Sequence, residues 1–480
     1  MLAALSGLRR STGTARLAAA TTVSGLVAAG VLSGAGTAVA EETPRTEGGA
    51  AATNNGLKTY GEAVIHEDGG DQRVPAGLFE MSVDGGGTLQ TYCVDLHNPT
   101  QRDARYQETP WSGTSLGTNK NAGRIGWILQ HSYPQVNDLA ALARKAGAHG
   151  LTEQDAAAGT QVAIWRYSDG ADVDALDPQA EKLADYLEKS ARGTGEPRAS
   201  LTLDPPAVAG RPGDRLGPVT VHTNASAVTV SPPADTATGG VRITDKNGKA
   251  ITSAKDGTRL YFDVPEEAAG DAAHPAGSEA GTAELTVQAS TTVPVGRAFA
   301  SESRSQTQIL AGSSESTVSA TATAGWAADG PIPAVSAREN CAKGGVDITT
   351  VNKGDEPFTF QLMGATHTIP AGATRTVTVP LQEDQAYDFT ITGPHGFSHR
   401  FTGVLDCKTQ GAVTTQTTAR LPNEPSPASV GGSALATTTD LAETGASALT
   451  PLITGVAIGL VVIGGAVLVV LRRKDTTPDA

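Results

Sequence analysis

Strand-like apolar runs dominate the chain just after residue 56. Leu57–Ile65, Gly77–Val83 and Leu89–Leu96 each have the length and the apolar content of a β-strand. The last two runs are separated by Asp84-Gly85-Gly86-Gly87, a sequence typical of a hairpin turn. We therefore predict three strands, the last two of which form a hairpin.

Helical patterns follow these strands. Residues 121–131 repeat apolar side chains at helical spacing. Thr152-Glu153-Gln154-Asp155 resembles a capping box that opens a helix ending near Ser168, and Asp177-Pro178 is a typical start of another helix. Strands followed by helices predict a mixed α/β head domain, a β-sheet or barrel with a helical part, over residues 57–195.

The middle of the chain is rich in Thr, Ser, Val, Ala and Pro and shows little helical pattern. Its alternating runs fall into two groups, residues 199–327 and residues 336–408, which are punctuated by Gly and Pro. Both groups are predicted to be Ig-like β-sandwiches, and the second is the smaller. Residues 409–440 have low complexity and predict an extended, disordered linker.

The amino terminus has the pattern of an export signal. Within residues 1–40, the first 16 contain three arginines and no acidic residue, and the apolar run Leu17–Val39 follows. Small residues end the run, so a signal peptidase is expected to cut between Ala40 and Glu41. A membrane anchor remains the alternative, although the run contains several Ser, Thr and Gly residues and is poorly suited to span a bilayer.

The carboxyl terminus, residues 441–480, combines a short motif with an apolar run and a basic cluster. The run, residues 449–471, is long enough to cross a bilayer as a transmembrane helix, and residues 472–474 are all basic, which favours a cytoplasmic tail. The motif before the run consists of Leu441, Ala442, Glu443, Thr444 and Gly445.

This arrangement resembles the sorting signal of sortase-anchored surface proteins of Gram-positive bacteria. Ala442 stands where the common motif has proline, a variant similar to that of actinobacterial class E sortases. The resemblance implies cleavage between Thr444 and Gly445 and attachment of Thr444 to peptidoglycan. The alternative is a type I membrane protein in which the motif occurs by chance. Both alternatives place the protein outside the cell.

Composition excludes several classes of function. Fifty acidic and 36 basic residues give a formal net charge of −14, and no basic stripe is present. Nucleic-acid binding requires clustered Lys and Arg, so nucleic acid is not expected as a partner. The nine histidines are scattered without paired Cys or His spacing, so no metal or other cofactor is predicted.

The three cysteines divide into a pair and a single residue. Cys341 and Cys407 bracket one β-rich segment, and thiols of exported proteins tend to pair, so we expect a disulfide between them. Cys93 is left over. A lone cysteine in an exported protein is buried and inert, forms a disulfide with another chain, or takes part in a chemical reaction.

Gln161 lies on an apolar stripe of the predicted middle helix. It shares this stripe with Ala157, Ile164, Trp165 and Ser168, so its side chain is expected to be buried. A buried carboxamide needs hydrogen-bond partners. Considered on this helix alone, Gln161 is best explained as a core residue bonded to the backbone.

Two local motifs favour a different interpretation. Tyr92-Cys93-Val94-Asp95 lies on a predicted strand. Thr160-Gln161-Val162-Ala163 forms a Thr-Gln-x-Ala motif on the predicted middle helix. Together they resemble the thioester domains, or TQXA domains, of Gram-positive surface proteins. The resemblance covers about 140 residues and implies an internal thioester between Cys93 and Gln161.

The resemblance implies a cell-wall-anchored adhesin that captures amine groups, such as lysine, on a target surface. Each molecule would react once, so the protein would not be a catalyst. The other motif residues, Tyr92, Asp95, Thr160 and Trp165, are candidates for supporting roles. Besides the target, the implied partners are peptidoglycan, a class E-type sortase and the export machinery.

Two other functions remain open. The protein could be a non-covalent structural or binding stalk in which Cys93 and Gln161 are core residues. A cysteine hydrolase could pair Cys93 with His66, His97 or His131, although no known hydrolase signature surrounds them. The mass lost on thioester formation distinguishes the covalent from the non-covalent function.

Overall fold

The computed structural model describes residues 48–231, 240–266, 280–301 and 303–409. The predicted export signal, the predicted linker 409–440 apart from its first residue, and the predicted sorting segment with its apolar run 449–471 lie outside the described residues. Within the described ranges, no helix has the length and apolar character needed to cross a membrane.

A seven-stranded sheet forms the framework of the head. All neighbouring strands pair antiparallel. The first two strands in chain order also pair with each other, and this pairing closes six of the seven strands into a ring. In spatial order the strands are β2 (Gln72–Val83), β3 (Thr88–Cys93), β15 (Gln308–Ser313), β14 (Ala298–Ser301), β4 (Arg105–Thr109), β1 (Ala51–Ile65) and β5 (Val173–Ala175).

The pairing of β14 and β15 differs from the sequence-based division of the chain. Both strands fall within residues 199–327, the predicted first sandwich, yet β15 pairs with β3 and β14 pairs with β4. The head is therefore built from two separate stretches of sequence. Alternation along a strand identifies a buried face but not the sheet to which the strand belongs, so the residue pattern did not reveal this insertion.

Four helices complete the head: α1 (Ala122–His131), α2 (Leu139–Ala146), α3 (Glu153–Ser168) and α4 (Pro178–Ser190). The predicted capping box is confirmed, because Thr152 and Asp155 exchange hydrogen bonds at the start of α3. Asp177 caps α4, and Pro178 occupies its first turn. The sequence analysis missed α2. The helices and the ring of strands share one apolar core.

Two sheets follow the head in the middle of the chain and share a second apolar core. Trp326 is buried in this core. The four-stranded sheet contains, in order, β10 (Arg242–Thr244), β12 (Arg259–Asp263), β8 (Arg215–Thr223) and β6 (Leu201–Asp204). The five-stranded sheet contains β11 (Ser253–Ala254), β9 (Val228–Ser231), β13 (Ala280–Thr292), β16 (Glu315–Ala327) and β7 (Ala207–Gly210). The Ig-like assignment stays a prediction.

The last described part of the chain consists of three small antiparallel sheets around a core rich in phenylalanine. The disulfide expected from the sequence is present between Cys341 and Cys407, just after the first and last strands of this part. The sheets are β17 (Pro333–Asn340), β18 (Gly345–Asn352) and β21 (Thr374–Pro380); β19 (Phe358–Leu362) and β20 (Ala365–Ile369); and β22 (Ala386–Thr392) and β23 (Ser398–Val404).

Loss of this disulfide is expected to destabilise the last part of the chain selectively. The bond closes a loop spanning 66 positions, and removal of such a bond typically costs about 2–5 kcal/mol. For Cys341→Ser/Cys407→Ser we expect hydrogen exchange of β18 and β22 to accelerate, while β1 and β2 keep their protection. Unchanged exchange in β18 and β22 would contradict this prediction.

A buried ion pair joins the head to the start of the middle sheets. Glu108 is fully buried on β4, and its Oε1 accepts a hydrogen bond from Nε of Arg297 at 2.9 Å. The same carboxylate accepts hydrogen bonds from the backbone N–H groups of Ala50 and Ser200 and from the Ser200 hydroxyl. Arg297 also contacts Glu196. The network therefore links four separated stretches of the chain.

Candidate functional site

A cavity of about 240 Å³ opens in the head where β3 ends against α3. Cys93 and Gln161, the two residues of the predicted thioester, both line it. Apolar atoms supply most of the exposed surface of the cavity, and its larger apolar side chains are Leu57, Val74, Phe79, Leu96 and Trp165. The other polar lining residues are Asn54, His97, Asn98, Thr100, Arg102 and Gln306. A cavity with a mainly apolar surface and several polar groups is typical of a binding or reaction site.

Cys93 is the last residue of β3, and its side chain is buried. Its Sγ lies 3.4 Å from Oγ1 of Thr100 and accepts a hydrogen bond from Nε2 of Gln308 at 3.2 Å. It is the free cysteine of the chain, because the other two form the disulfide. The thiol thus has a fixed polar environment inside an otherwise apolar core.

Gln161 approaches Cys93 from α3 and is fully buried. Its Oε1 accepts a hydrogen bond from the backbone N–H of Cys93 at 3.0 Å, and its Nε2 donates to the backbone oxygen of Cys93 at 2.9 Å. These reciprocal bonds hold the carboxamide against the residue that carries the thiol. They also satisfy the buried amide, as the core-residue interpretation of Gln161 required.

The candidate supporting residues occupy different positions. Trp165 lines the cavity, and within the described part of the chain its Nε1 has no hydrogen-bond partner. Tyr92 and Thr160 donate hydrogen bonds to the backbone oxygens of Tyr133 and Ala156, so both serve the packing behind the site. Asp95 accepts a hydrogen bond from the backbone N–H of His97, which stabilises the turn after β3.

Thr100 and Gln308 are site residues that the sequence analysis missed. Gln308 is fully buried at the start of β15, separated from Cys93 by 215 positions. No local motif marks it, because its contact with sulfur exists only through the insertion of β15 beside β3. Nε2 of Gln308 also donates a hydrogen bond to the Thr100 hydroxyl, at 3.3 Å.

The histidines considered for a hydrolase have other partners. His97 lines the cavity, but its Nδ1 lies 3.7 Å from a carboxylate oxygen of Glu67. His66 pairs with Asp71, and Nδ1 of His131 lies 2.8 Å from the backbone oxygen of Trp127. Within the described residues, none of the three makes a hydrogen bond to Cys93. The geometry of a thiol activated by histidine is therefore not present.

Burial dominates the electrostatics of the thiol. The pKa of Cys93 is raised to about 12, chiefly because burial disfavours the thiolate. Hydrogen bonds with Thr100 and Gln308 act to lower this pKa, and the charges of Asp95 and Asp169 act to raise it. Cys93 is therefore a neutral thiol at pH 7 in the state described. Any reaction through sulfur requires the proton to leave as the new bond forms, or requires groups that stabilise the thiolate.

One carboxyl group beside the site is also shifted. Burial raises the pKa of Asp169 to about 7, although its oxygens accept hydrogen bonds from Ser168 Oγ and the backbone N–H of Leu96. Because the pKa of this carboxyl group is higher in the folded than in the unfolded state, binding of a proton stabilises the folded state. Its contribution is present at about pH 4 and is lost as the pH rises toward about 7.

Asp169→Asn is therefore expected to gain stability relative to the wild type as the pH rises from about 4 to about 7. Urea denaturation at several pH values measures this difference. Asp388→Asn is the matched control, because pairing with exposed Arg400 lowers the pKa of Asp388, so its titration affects stability only below that window. A difference between wild type and Asp169→Asn that does not change with pH would contradict the prediction.

One group of carboxylates in the described chain could hold a metal ion by its spacing. Oxygens of Glu383, Asp384 and Asp406 lie within 4.8 Å of one another. Asp406 accepts hydrogen bonds from Oγ1 and the backbone N–H of Thr307, and Glu383 accepts from two backbone N–H groups. These contacts place the group where the last part of the chain meets the head.

Two segments of the chain match known family models. Residues 90–193 match the model described as Thioester domain, a segment that contains both Cys93 and Gln161. Residues 333–404 match the model described as Bacterial phospholipase C, C-terminal domain, and this segment spans the three small sheets. The chain has no match among curated proteins.

Solved structures similar to this chain include two proteins whose titles contain the name TIE. The Bacillus anthracis TIE protein is 13% identical, with 76% of this chain and 81% of that chain covered and a TM-score of 0.26. The thioester domain of the Enterococcus faecium TIE86 protein is 15% identical, with 57% of this chain and 95% of that chain covered and a TM-score of 0.26.

Proposed function

We propose that Cys93 and Gln161 of the thioester-domain segment form an internal thioester, and that the protein is a surface adhesin that uses this bond to capture amines. The observation that carries the proposal is the pair of hydrogen bonds between the Gln161 carboxamide and the Cys93 backbone. They hold the carboxamide against the main chain of the residue that carries the thiol, and both residues line a cavity open to a ligand.

Formation of the thioester is an exchange of nitrogen for sulfur at Gln161. The Cys93 sulfur attacks the side-chain carbonyl carbon, the carbon–nitrogen bond breaks, and Nε2 leaves as ammonia with the thiol proton. The backbone N–H of Cys93 already donates to Oε1 at 3.0 Å, so it can stabilise negative charge on that oxygen during the attack. The product lacks one ammonia, about 17 Da.

Capture of a target reverses the role of sulfur. A neutral amine attacks the same carbonyl carbon, the carbon–sulfur bond breaks, and the Cys93 sulfur receives the proton that the amine loses. The products are an amide between Gln161 and the target and a free Cys93 thiol. The capture consumes the carbon–sulfur bond, so each molecule acts once.

The apolar cavity suits an alkyl amine such as a lysine side chain. Val74, Phe79, Leu96 and Trp165 offer apolar surface to the methylene groups of lysine. The same surface limits the access of water to the thioester, which would otherwise hydrolyse. The apolar part of the lining thus supports a lysine-bearing protein or a similar primary amine as the target.

A location at the cell surface follows from the sequence motifs at the two ends of the chain. We propose that the signal is removed after Ala40 and that a class E-type sortase cleaves between Thr444 and Gly445. The linker after residue 409 would then tether the described part of the chain to the wall, on the outside of the cell.

Reaction with methylamine tests the proposed function. We expect the protein spanning residues 41–444 to gain one methylamine, about 31 Da, with the label on Gln161. Alkylation of unfolded protein should detect the Cys93 thiol only after this reaction. The non-covalent alternative predicts no methylamine adduct and a Cys93 thiol that can be alkylated from the start. Methylamine bound to a residue other than Gln161 would also contradict the proposal.

A further inference from the structure

We propose that Gln308 and Thr100 hold the Cys93 sulfur for reaction and stabilise it as a thiolate, an inference that rests on the proposed thioester. Gln308 lies on β15, outside the segment that matches the thioester-domain model. The inference therefore assigns part of the reaction site to the second stretch of sequence that builds the head.

The Cys93 sulfur, Gln308 Nε2 and Thr100 Oγ1 all lie within hydrogen-bond distance of one another. Gln308 Nε2 has two N–H groups, one directed to Sγ of Cys93 at 3.2 Å and one to Oγ1 of Thr100 at 3.3 Å. Because Thr100 Oγ1 accepts from Gln308, its own hydroxyl proton is available for Sγ, which lies 3.4 Å away. Sulfur therefore has two donors within reach.

Gln308 is itself fixed in position. Its Oε1 accepts a hydrogen bond from Oγ1 of Thr91 at 3.0 Å, which sets which end of the carboxamide faces sulfur. Gln308 and Thr91 are fully buried. Across the paired strands β3 and β15, Gln308 lies opposite Cys93, and Thr91 lies two residues before Cys93 on β3. A donor held rigidly before the reaction need not reorganise when charge develops, which is the condition for effective electrostatic stabilisation.

The reaction needs such donors because sulfur carries negative charge at two stages. It attacks Gln161 during formation of the thioester, and it leaves when an amine attacks. Cys93 is nearly inaccessible to water, so solvent cannot stabilise the thiolate. Two hydrogen bonds from the protein would replace the missing water and would direct sulfur toward the carboxamide. Hydrogen bonds to charged groups are stronger than those between neutral groups.

The test compares variants that remove one donor each. Gln308→Met keeps the length of the side chain without an N–H group, and Thr100→Val keeps the shape without the hydroxyl. For the thioester-containing fraction of each variant, we expect the methylamine rate constant at pH 8 to fall about tenfold or more. After the reaction, the pH at which the freed Cys93 is half alkylated in the native state should rise relative to the wild type.

Controls separate the role of these donors from packing. Thr100→Ser restores a hydroxyl and should recover most of the rate lost in Thr100→Val. Thr244→Val removes a buried hydroxyl that has no partner in the described structure and lies in the middle sheets, so it should react like the wild type. If Gln308→Met does not fold, the comparison of Thr100→Val with Thr100→Ser decides the question.

The outcomes distinguish the inference from the proposed function. Wild-type rates and an unchanged alkylation profile in Thr100→Val and folded Gln308→Met would overturn the inference and leave the thioester intact. A wild-type protein that neither lacks ammonia nor reacts with methylamine would overturn the proposed function itself. A selective loss of rate with recovery in Thr100→Ser would support the assignment of both donors.

Discussion

The Cys93→Ala protein is expected to form no covalent adduct with methylamine or with a lysine-containing peptide, however long the incubation. Without sulfur, Gln161 keeps its carboxamide, and an amide does not react with a free amine under mild conditions. The side chain removed is small, so the protein should still fold and should lose only about 1–2 kcal/mol of stability to the cavity.

Intact mass spectrometry after incubation with the peptide measures this loss of reactivity, and circular dichroism establishes the fold of the variant. The matched control is Cys341→Ser/Cys407→Ser, which removes the other two cysteines and leaves the site unchanged. This control should form the adduct as the wild type does. An adduct on Cys93→Ala, or its loss in the control alone, would show that capture does not proceed through Cys93.

Glu108→Gln is expected to reduce the free energy of unfolding by about 3–5 kcal/mol. The substitution leaves Arg297, which is 4% exposed, without its buried carboxylate partner. The new amide group would also face donors, because the Glu108 carboxylate accepts hydrogen bonds from the backbone N–H groups of Ala50 and Ser200. Arg297 would keep only the partly exposed carboxylate of Glu196, and the loss of one charge partner and the opposed donors both destabilise a buried site.

Urea denaturation followed by tryptophan fluorescence measures this effect. Asp263→Asn serves as the control, because its partner Arg242 is largely exposed and such pairs contribute below about 1 kcal/mol. A loss in Glu108→Gln no larger than in the control would contradict the importance of the network. Arg297 directly precedes β14, which pairs with β15, the strand that carries Gln308. We therefore also expect Glu108→Gln to slow the reaction with methylamine, because the position of Gln308 would be less well fixed.

Local signals in the sequence predicted three of the four helices of the head and three of its seven strands. The capping box at Thr152 and the proline at the first turn of α4 act within a few residues, so they could be identified without a structure. Helical spacing also predicted the burial of Gln161, and the structure confirms it. Burial alone did not distinguish a core glutamine from a reacting one; the resemblance of two short motifs was needed for that hypothesis.

The features that sequence reasoning missed depend on contacts between distant residues. Gln308 resembles any polar residue in a Ser- and Gln-rich loop until β15 is placed beside β3. The same insertion explains why the boundary near residue 195 did not enclose the whole head. Helix α2 was missed for a different reason, because it spans only eight residues and has a short apolar pattern.

The intact mass of the wild-type protein tests the central claim most directly. The protein spanning residues 41–444, purified under oxidising conditions and never exposed to amines, should weigh about 17 Da less than its sequence with one disulfide. The missing ammonia should map to a peptide pair joining Cys93 to Gln161. A mass equal to that of the sequence with one disulfide, together with a Cys93 thiol that is alkylated on unfolding, would contradict the thioester and leave a non-covalent surface protein.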